Sequence, residues 1–165
     1  MKKKYVDLYM TMAKEVAKLS YATRLKVGTV IVKEDRIISI GYNGTPKGWD
    51  NNCESREWMP EGCLHLDHEY PFVEYSDYGD NPIIGRYKLK TKPEVVHSEA
   101  NAIIKLASSN ESGVGSTLFC NYAPCIDCAK LIYGAGIDTV YYEEEYRDSS
   151  GIEFLKNSNI TVIKK

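Results

Sequence analysis

The fold class is decided by residues 97–142, which read HSEANAIIKLASSNESGVGSTLFCNYAPCIDCAKLIYGAGIDTVYY. Residues 97–107 carry apolar side chains at helical spacing, and residues 116–121 form an apolar run typical of a strand. Residues 125–133 again have helical spacing and end before two glycines, and residues 139–142 form a second strand-like run. Strands that alternate with helices at this spacing predict a layered α/β sheet rather than a helical bundle.

The flanking segments extend this pattern in both directions. Residues 5–19 predict an amphipathic helix, because their apolar side chains recur at spacings of three and four. Two β-rich runs follow, at 27–32 and 36–40, and the three residues between them suit a tight hairpin. After the central stretch, residues 150–156 predict a short helix and residues 160–163 predict a last strand.

Residues 50–92 do not fit the pattern. With its flanks, residues 46–93, it carries all but one of the six prolines and has little clean periodicity, although residues 52–59 suggest a short helix. A structureless stretch of this length inside a compact domain is often functional. We therefore predict a single domain over residues 1–165 that carries an irregular insertion at about 50–92.

Composition excludes several classes of protein. The 165 residues include 21 Lys and Arg against 23 Asp and Glu, and this net charge of −2 argues against a strongly basic polynucleotide-binding protein. No apolar run approaches the roughly 20 residues of a membrane helix. The basic start lacks an apolar signal-peptide core, and an odd count of five cysteines suits a reducing compartment. We expect a cytoplasmic protein (in the host cytoplasm if the chain is viral) with no membrane and no polynucleotide partner.

Two short motifs carry the chemistry, HSE at residues 97–99 and PCIDC at residues 124–128. Cys125 and Cys128 lie on one face of a predicted helix, where the positive helix start lowers the thiol pKa. Two thiolates can hold one metal ion, and His97, at another helix start, can supply a third ligand. One His and two Cys leave a fourth tetrahedral position open, which is typical of catalytic zinc.

Glu99 separates a catalytic site from a structural one. A carboxylate two residues beyond His97 can take a proton from a zinc-activated water and deliver it to a leaving group. The order H-x-E followed by P-C-x-x-C is the signature of zinc nucleobase deaminases. Taken alone, the CxxC pair could be a structural zinc half-site or a redox pair, and Glu99 could be a first-turn glutamate that the helix dipole favours. The occurrence of both motifs in one chain favours a catalytic zinc site.

The sequence resembles the cytidine deaminase superfamily and, within it, the deoxycytidylate (dCMP) deaminases. The resemblance covers residues 5–53 and 90–163. It rests on three segments: KVGTVIV at 26–32, GYNGTPKG at 41–48 and HSEANAI at 97–103. Ser98 stands where the family usually has alanine. The resemblance implies a three-layer α/β/α sandwich around a five-stranded mixed sheet.

The resemblance also implies an activity. Members hydrolyse dCMP to dUMP and ammonia, and they are commonly homohexamers activated by dCTP and inhibited by dTTP. Carried over to this chain, His97, Cys125 and Cys128 would hold zinc, and Glu99 would shuttle the proton. An enzyme acting on a free nucleotide needs no base flipping, so a narrow pocket suffices.

Further site residues follow from the resemblance. Tyr146 matches the family tyrosine near the base and Asn43 the loop asparagine, although Tyr146 could be a surface residue and Asn43 could serve turn chemistry. A monophosphate needs cations or backbone N–H groups, for which Arg24 and Lys26 are the candidates, with solvated surface charge as the alternative. The effector nucleotide, with Mg²⁺ on its triphosphate, would contact Gly41, Tyr42, Asn43, Gly44 and Lys47.

The insertion contains four further ligand-type residues: Cys53, Cys63, His65 and His68. They could close a second, structural zinc site. Their spacing matches no common zinc finger, and Ala22 and Val95 stand where phage relatives with a second zinc have ligands. We favour the interpretation that the four are ordinary loop residues. Cys120, the fifth cysteine, lies in a strand-like run and is predicted to be a buried apolar residue.

Two other functions compete with dCMP deamination. One is another zinc deaminase, acting on a free nucleoside or a tRNA adenosine; the charge balance and the GYNGTPKG loop argue against it. The other is a non-catalytic zinc or nucleotide-binding module, for which Glu99 would have no use.

Overall fold

The computed structural model describes residues 1–62, 66–75 and 83–165. Its helices are α1 (Lys3–Ala17), α2 (Ser98–Ala107), α3 (Ile126–Gly134) and α4 (Ser150–Asn157). Its strands are β1 (Gly28–Lys33), β2 (Arg36–Tyr42), β3 (Glu54–Trp58), β4 (Phe72–Tyr75), β5 (Ile83–Thr91), β6 (Thr117–Tyr122), β7 (Thr139–Glu144) and β8 (Thr161–Lys164).

The main sheet has five strands in the order β2-β1-β6-β7-β8. The β1–β2 and β1–β6 pairs are antiparallel, whereas β6–β7 and β7–β8 are parallel. The parallel strands are connected through α3 and α4, as parallel neighbours require a crossover. The predicted five-stranded mixed sheet is therefore confirmed, and each predicted helix and strand outside the insertion is present within about two residues of its expected bounds.

Helices cover both faces of this sheet because its strand residues are apolar on both sides. Val30, Val32 and Phe119 point to one face, where they pack on the buried side of α1. Ile31 and Leu118 are the sequence neighbours of these residues, so they point to the other face of the sheet, where α2, α3 and α4 pack. This arrangement is the predicted three-layer α/β/α sandwich.

Two glycines bring helices unusually close to the sheet. A Cβ on Gly28 would lie 2.2 Å from the Ala13 carbonyl oxygen, so α1 can come this close to β1 only because residue 28 lacks a side chain. A Cβ on Gly41 would lie 2.1 Å from the Ser98 carbonyl oxygen. Gly41 therefore lets the first turn of α2 rest directly on β2, which places the start of α2 at the end of this strand.

The segment predicted to be irregular contains an antiparallel sheet of its own, in the order β3-β5-β4. The prediction of a short helix at 52–59 was wrong, because Glu54–Trp58 is a strand. Trp58, Tyr87 and Phe72 stand opposite one another on the three strands and form an aromatic row, with ring centroids 5.3 and 5.4 Å apart. Cross-strand aromatic pairs of this kind stabilise a small sheet.

Candidate active site

The side chains of the two motifs meet at one end of the main sheet. Gly28 pairs with Tyr42 and Thr29 with Cys120, so the end of β2 and the end of β6 lie on the same side. Helix α2 starts beside the end of β2, where Asn101 donates a hydrogen bond to the Tyr42 carbonyl at 2.8 Å. Helix α3 starts just after β6. Both helix starts therefore converge on this end.

The structure brings His97, Cys125 and Cys128 together. Their ligand atoms all lie within 4.8 Å of one another, and in the described ranges they are the only group of three or more such residues. His97 Nδ1 is 3.4 Å from Cys125 Sγ and 3.5 Å from Cys128 Sγ. Imidazole nitrogen with two thiolates is a donor set that suits zinc, and three protein ligands leave a position for water. The residues present therefore fit a zinc ion.

The charges within this group are strongly coupled. Hydrogen bonds from the Cys128 thiol, the larger cause, and from His97 together lower the pKa of Cys125 to about 4. The Cys125 partner in turn raises the pKa of His97, whereas the bond to Cys125 raises the pKa of Cys128. Both cysteines lie at the start of α3, where the helix dipole favours a negative charge. Cys125 is thus ready to act as a thiolate ligand.

Glu99 is buried beside this group, with 4% of its surface exposed. It lies in the first turn of α2 and is not a member of the ligand group. Burial raises the pKa of its carboxyl, while a hydrogen bond from Ser98 to its Oε2, at 2.9 Å, acts in the opposite direction. A carboxyl group with a raised pKa can both accept and return a proton near neutral pH.

A cavity of about 750 Å³ opens in front of these residues. His97 and Cys125 form part of its wall, and three of the predicted substrate residues, Asn43, Tyr146 and Arg24, line it as well. Lys26, the fourth, is exposed and is not part of the lining. A volume of this size accommodates a small organic ligand such as a nucleotide.

Asn43 has a structural task in addition to its place in the cavity wall. Its Oδ1 accepts a hydrogen bond from the Val27 N–H, and its Nδ2 donates to the Leu25 carbonyl, each at 2.8 Å. The side chain therefore ties the loop after β2 to the segment before β1. Arg24 is also held in place, because its guanidinium donates to Thr91 Oγ1 at 3.0 Å.

Glu54 is a cavity residue that the sequence did not indicate. Its carboxylate accepts hydrogen bonds from the backbone N–H groups of Thr23 and Arg24, at 3.0 and 3.2 Å, and it is 7% exposed. No motif marks it, since it lies in the segment that looked irregular. Arg147 and Asp148 also line the cavity. They directly follow Tyr146 in the sequence, and this adjacency to a predicted substrate residue could have indicated them.

A second cavity, of about 620 Å³, contains part of the predicted effector site. Tyr42, Gly44 and Lys47 line it, whereas Gly41 is packed under α2 and Asn43 faces the first cavity. Lys105 also lines the second cavity, and its amino group donates to the Ile40 carbonyl at 2.8 Å. Consecutive residues of an extended segment point to opposite sides, so residues 42–44 separate the two cavities.

The four residues considered for a second zinc site are only partly described. Cys63 and His65 lie outside the described residues. Cys53 is 1% exposed and packs against Ala22 and Val95 in a small apolar cluster. His68 is exposed beside Glu69. Cys53 and His68 behave as ordinary core and surface residues where the structure describes them. Cys120, fully buried, lies in the core as predicted.

No helix in the described ranges is long and apolar enough to cross a membrane.

Comparisons with known proteins point to one family. A family model for the cytidine and deoxycytidylate deaminase zinc-binding region matches residues 3–144. The deoxycytidylate deaminase of Enterobacteria phage T4 is 33% identical over 150 residues, which cover 83% of this chain and 77% of that protein. The enzyme of the same name from Saccharomyces cerevisiae is 31% identical over 163 residues, 98% of this chain and 45% of the yeast protein.

The structural comparison agrees with these sequence matches. A crystal structure of dCMP deaminase from the cyanophage S-TIM5, in complex with dCMP and dUMP, superimposes with a TM-score of 0.76 at 35% identity. The alignment covers 100% of this chain and 99% of that chain. The apo form of the same enzyme gives a TM-score of 0.73.

Proposed function

The chain belongs to the cytidine and deoxycytidylate deaminase family, and from this premise we propose that it hydrolyses dCMP to dUMP and ammonia with the help of zinc. The observation that carries the proposal is the buried Glu99 carboxylate beside the three-residue ligand group, two members of which, His97 and Cys125, line a nucleotide-sized cavity. The dCMP and dUMP in the S-TIM5 structure support the choice of substrate.

The proposed roles follow from the position of each group. A zinc ion held by His97, Cys125 and Cys128 would lower the pKa of a water molecule and make it nucleophilic at neutral pH. Glu99 takes a proton from this water while the water oxygen bonds to C4 of the cytosine ring. Glu99 passes that proton to N3 of the ring. Glu99 then carries the second water proton to the amino group, and the C4–N4 bond breaks to release ammonia.

A substrate panel tests the proposed reaction. Zinc-replete protein is incubated with dCMP, deoxycytidine, cytidine, adenosine and tRNA, and ammonia release is followed. We expect turnover of dCMP, and turnover of cytidine, adenosine or tRNA at least a hundredfold lower. Turnover of tRNA or a free nucleoside instead of dCMP would favour another zinc deaminase. No turnover of any substrate would favour a non-catalytic module, and either result would overturn the proposal.

We further propose that Arg24 recognises the 5′-phosphate. Its guanidinium lies at the cavity wall, held by Thr91, where it can bind two phosphate oxygens. Arg24→Gln is expected to raise KM for dCMP by about tenfold or more while leaving the slow turnover of deoxycytidine unchanged. Lys26→Gln is the matched control, since Lys26 lies outside the lining. An equal loss with both nucleotides and nucleosides would contradict this role.

The second cavity supports a proposed regulatory nucleotide site. Lys47 and Lys105 supply positive charge for a triphosphate, with Mg²⁺ as its counterion, and Tyr42 and Trp49 supply aromatic surface for a base. We propose activation by dCTP, inhibition by dTTP and assembly into a homohexamer, as the family resemblance implies. Rate measurements with each nucleotide, and light scattering for the mass, test this; equal rates with and without both nucleotides would exclude regulation.

A further inference from the structure

A buried chain of hydroxyl groups ends on the Glu99 carboxylate. Ser98 Oγ donates a hydrogen bond to Glu99 Oε2 at 2.9 Å, and Thr29 Oγ1 lies 2.8 Å from Ser98 Oγ. Ser98 and Thr29 have no exposed surface, and Glu99 is 4% exposed. Water therefore has no access to these contacts, and each hydroxyl depends on its protein partners for hydrogen bonding.

Counting protons fixes the direction of the chain. A serine hydroxyl has a single proton, and Ser98 gives it to Glu99. The proton in the Thr29–Ser98 hydrogen bond must then come from Thr29. Cys120 Sγ lies 3.4 Å from Thr29 Oγ1 and competes for the same proton, but in this order Thr29 donates to Ser98 and not to the sulfur. The order Thr29 to Ser98 to Glu99 is therefore the only one in which the Ser98 bond to the carboxylate is kept.

The chain is anchored in rigid elements. Thr29 belongs to β1, a central strand that pairs on both sides. Ser98 belongs to the first turn of α2, which Gly41 allows to rest directly on β2. A strand and a helix in direct contact hold a side chain more precisely than a loop does.

We propose that Ser98, supported by Thr29, is a positioning residue that fixes Oε2 of Glu99, so that proton transfer runs through the other carboxylate oxygen. This role rests on the proposed deaminase function, and deepens it. The proposed role is a property of this chain and not of the family as a whole, because Ser98 stands where the family usually has alanine. In this chain, removal of the hydroxyl leaves the buried Oε2 atom without the donor that fixes the orientation of the carboxylate.

The first test compares Ser98→Ala with wild type in steady-state dCMP kinetics. We expect kcat to fall roughly tenfold to a hundredfold, with KM for dCMP within about twofold, because Ser98 acts on proton transfer rather than on binding. Thr29→Val, which removes the supporting hydroxyl, should lower kcat in the same way but less. Thr29→Ser, which keeps the hydroxyl, should recover most of the loss.

Ser39→Ala is the matched control for a purely structural effect. Ser39 Oγ is also buried and donates to the Ala102 carbonyl of the same helix at 2.7 Å, but it does not contact Glu99. We expect Ser39→Ala to lower the melting temperature about as much as Ser98→Ala while leaving kcat unchanged. Zinc content is measured for every variant and should stay at the wild-type level.

The outcomes separate the two proposals. If wild-type protein deaminates dCMP and Ser98→Ala has wild-type kcat, or loses activity no more than Ser39→Ala, the positioning role is refuted and the deaminase function stands. A rise in KM without a fall in kcat would also refute it. If zinc-replete wild type has no activity, the proposed function fails and the positioning role falls with it.

Discussion

Cys125 and Cys120 carry the same side chain, yet their surroundings give them opposite chemistry. Hydrogen bonds from its neighbours, chiefly Cys128, lower the pKa of Cys125 to about 4, whereas complete burial raises the pKa of Cys120 to about 12. The sequence could predict this contrast, because Cys125 begins a helix and Cys120 lies within an apolar run. It could not predict the Ser98–Thr29 contact, since the two residues are 69 positions apart.

Thiol alkylation of metal-free protein at pH 6 should distinguish the two cysteines. At this pH Cys125, with a pKa of about 4, is largely thiolate, whereas Cys120, with a pKa of about 12, is a neutral thiol. We expect iodoacetamide to label Cys125 first, as read by peptide mass spectrometry, and zinc to protect it. Cys120 should react only after denaturation.

Replacing Cys128 by alanine provides the control for this prediction. The substitution removes the hydrogen bond that stabilises the Cys125 thiolate, so labelling of Cys125 at pH 6 should become slower. Equal labelling rates for Cys125 and Cys120 in native protein would contradict the assigned pKa directions.

Glu99→Gln should separate metal binding from turnover. The amide keeps the size of the side chain and can still accept from Ser98, but it cannot take a proton. We expect full zinc content with kcat lowered by roughly 10²- to 10⁴-fold, the usual contribution of a general acid–base. Zinc analysis with dCMP kinetics checks this, and a variant with more than a tenth of wild-type kcat would disprove proton transfer by Glu99.

Among the elements, helix α4 packs against the backbone of Pro124 and Cys125, although it lies about 25 residues further along the sequence. A Cβ on Gly151 would lie 2.1 Å from the Pro124 carbonyl oxygen, so the first turn of α4 rests directly on the residues before α3. The sequence predicted the helix but not this contact. It also missed the second sheet, because β3 is a short polar run, ESREW, in which Trp58 is the single large apolar residue.

Gly151→Ala should therefore disturb the metal site from outside it. The added methyl group has no space against Pro124, and we expect a stability loss of about 1–3 kcal/mol together with weaker zinc binding. Thermal unfolding and competition with a zinc chelator measure the two effects. Gly134→Ala is the control, because a Cβ on Gly134 meets nothing within 4 Å, and unchanged zinc affinity in Gly151→Ala would disprove the coupling.

Across the whole molecule, the second sheet is joined to the main one through buried polar contacts. Glu54 of β3 accepts hydrogen bonds from the backbone N–H groups of residues 23 and 24, which precede β1. The single domain stays a prediction, which the sequence offered on length alone. The sequence could not show these hydrogen bonds, since Glu54 and its partners are about 30 residues apart.

A single domain should unfold in one transition. Trp58 lies in β3, so its fluorescence, measured in a Trp49→Phe variant, reports on the second sheet. Far-ultraviolet circular dichroism reports mainly on the four helices, which pack on the two faces of the main sheet. We expect the two signals to give the same urea midpoint within error, as two-state unfolding requires. Separate midpoints would mean that the second sheet unfolds as its own unit.

Residues 42–44 form part of the wall between the two cavities, because Asn43 faces one side while Tyr42 and Gly44 face the other. The backbone joins these residues directly, so a shift in Tyr42 is passed to Asn43 and to its hydrogen bonds with Leu25 and Val27. If both cavities hold nucleotides, thermodynamic reciprocity requires that dCMP strengthen the binding of any activator by the same factor by which that activator strengthens dCMP. The substrate would then be an effector of its own regulator.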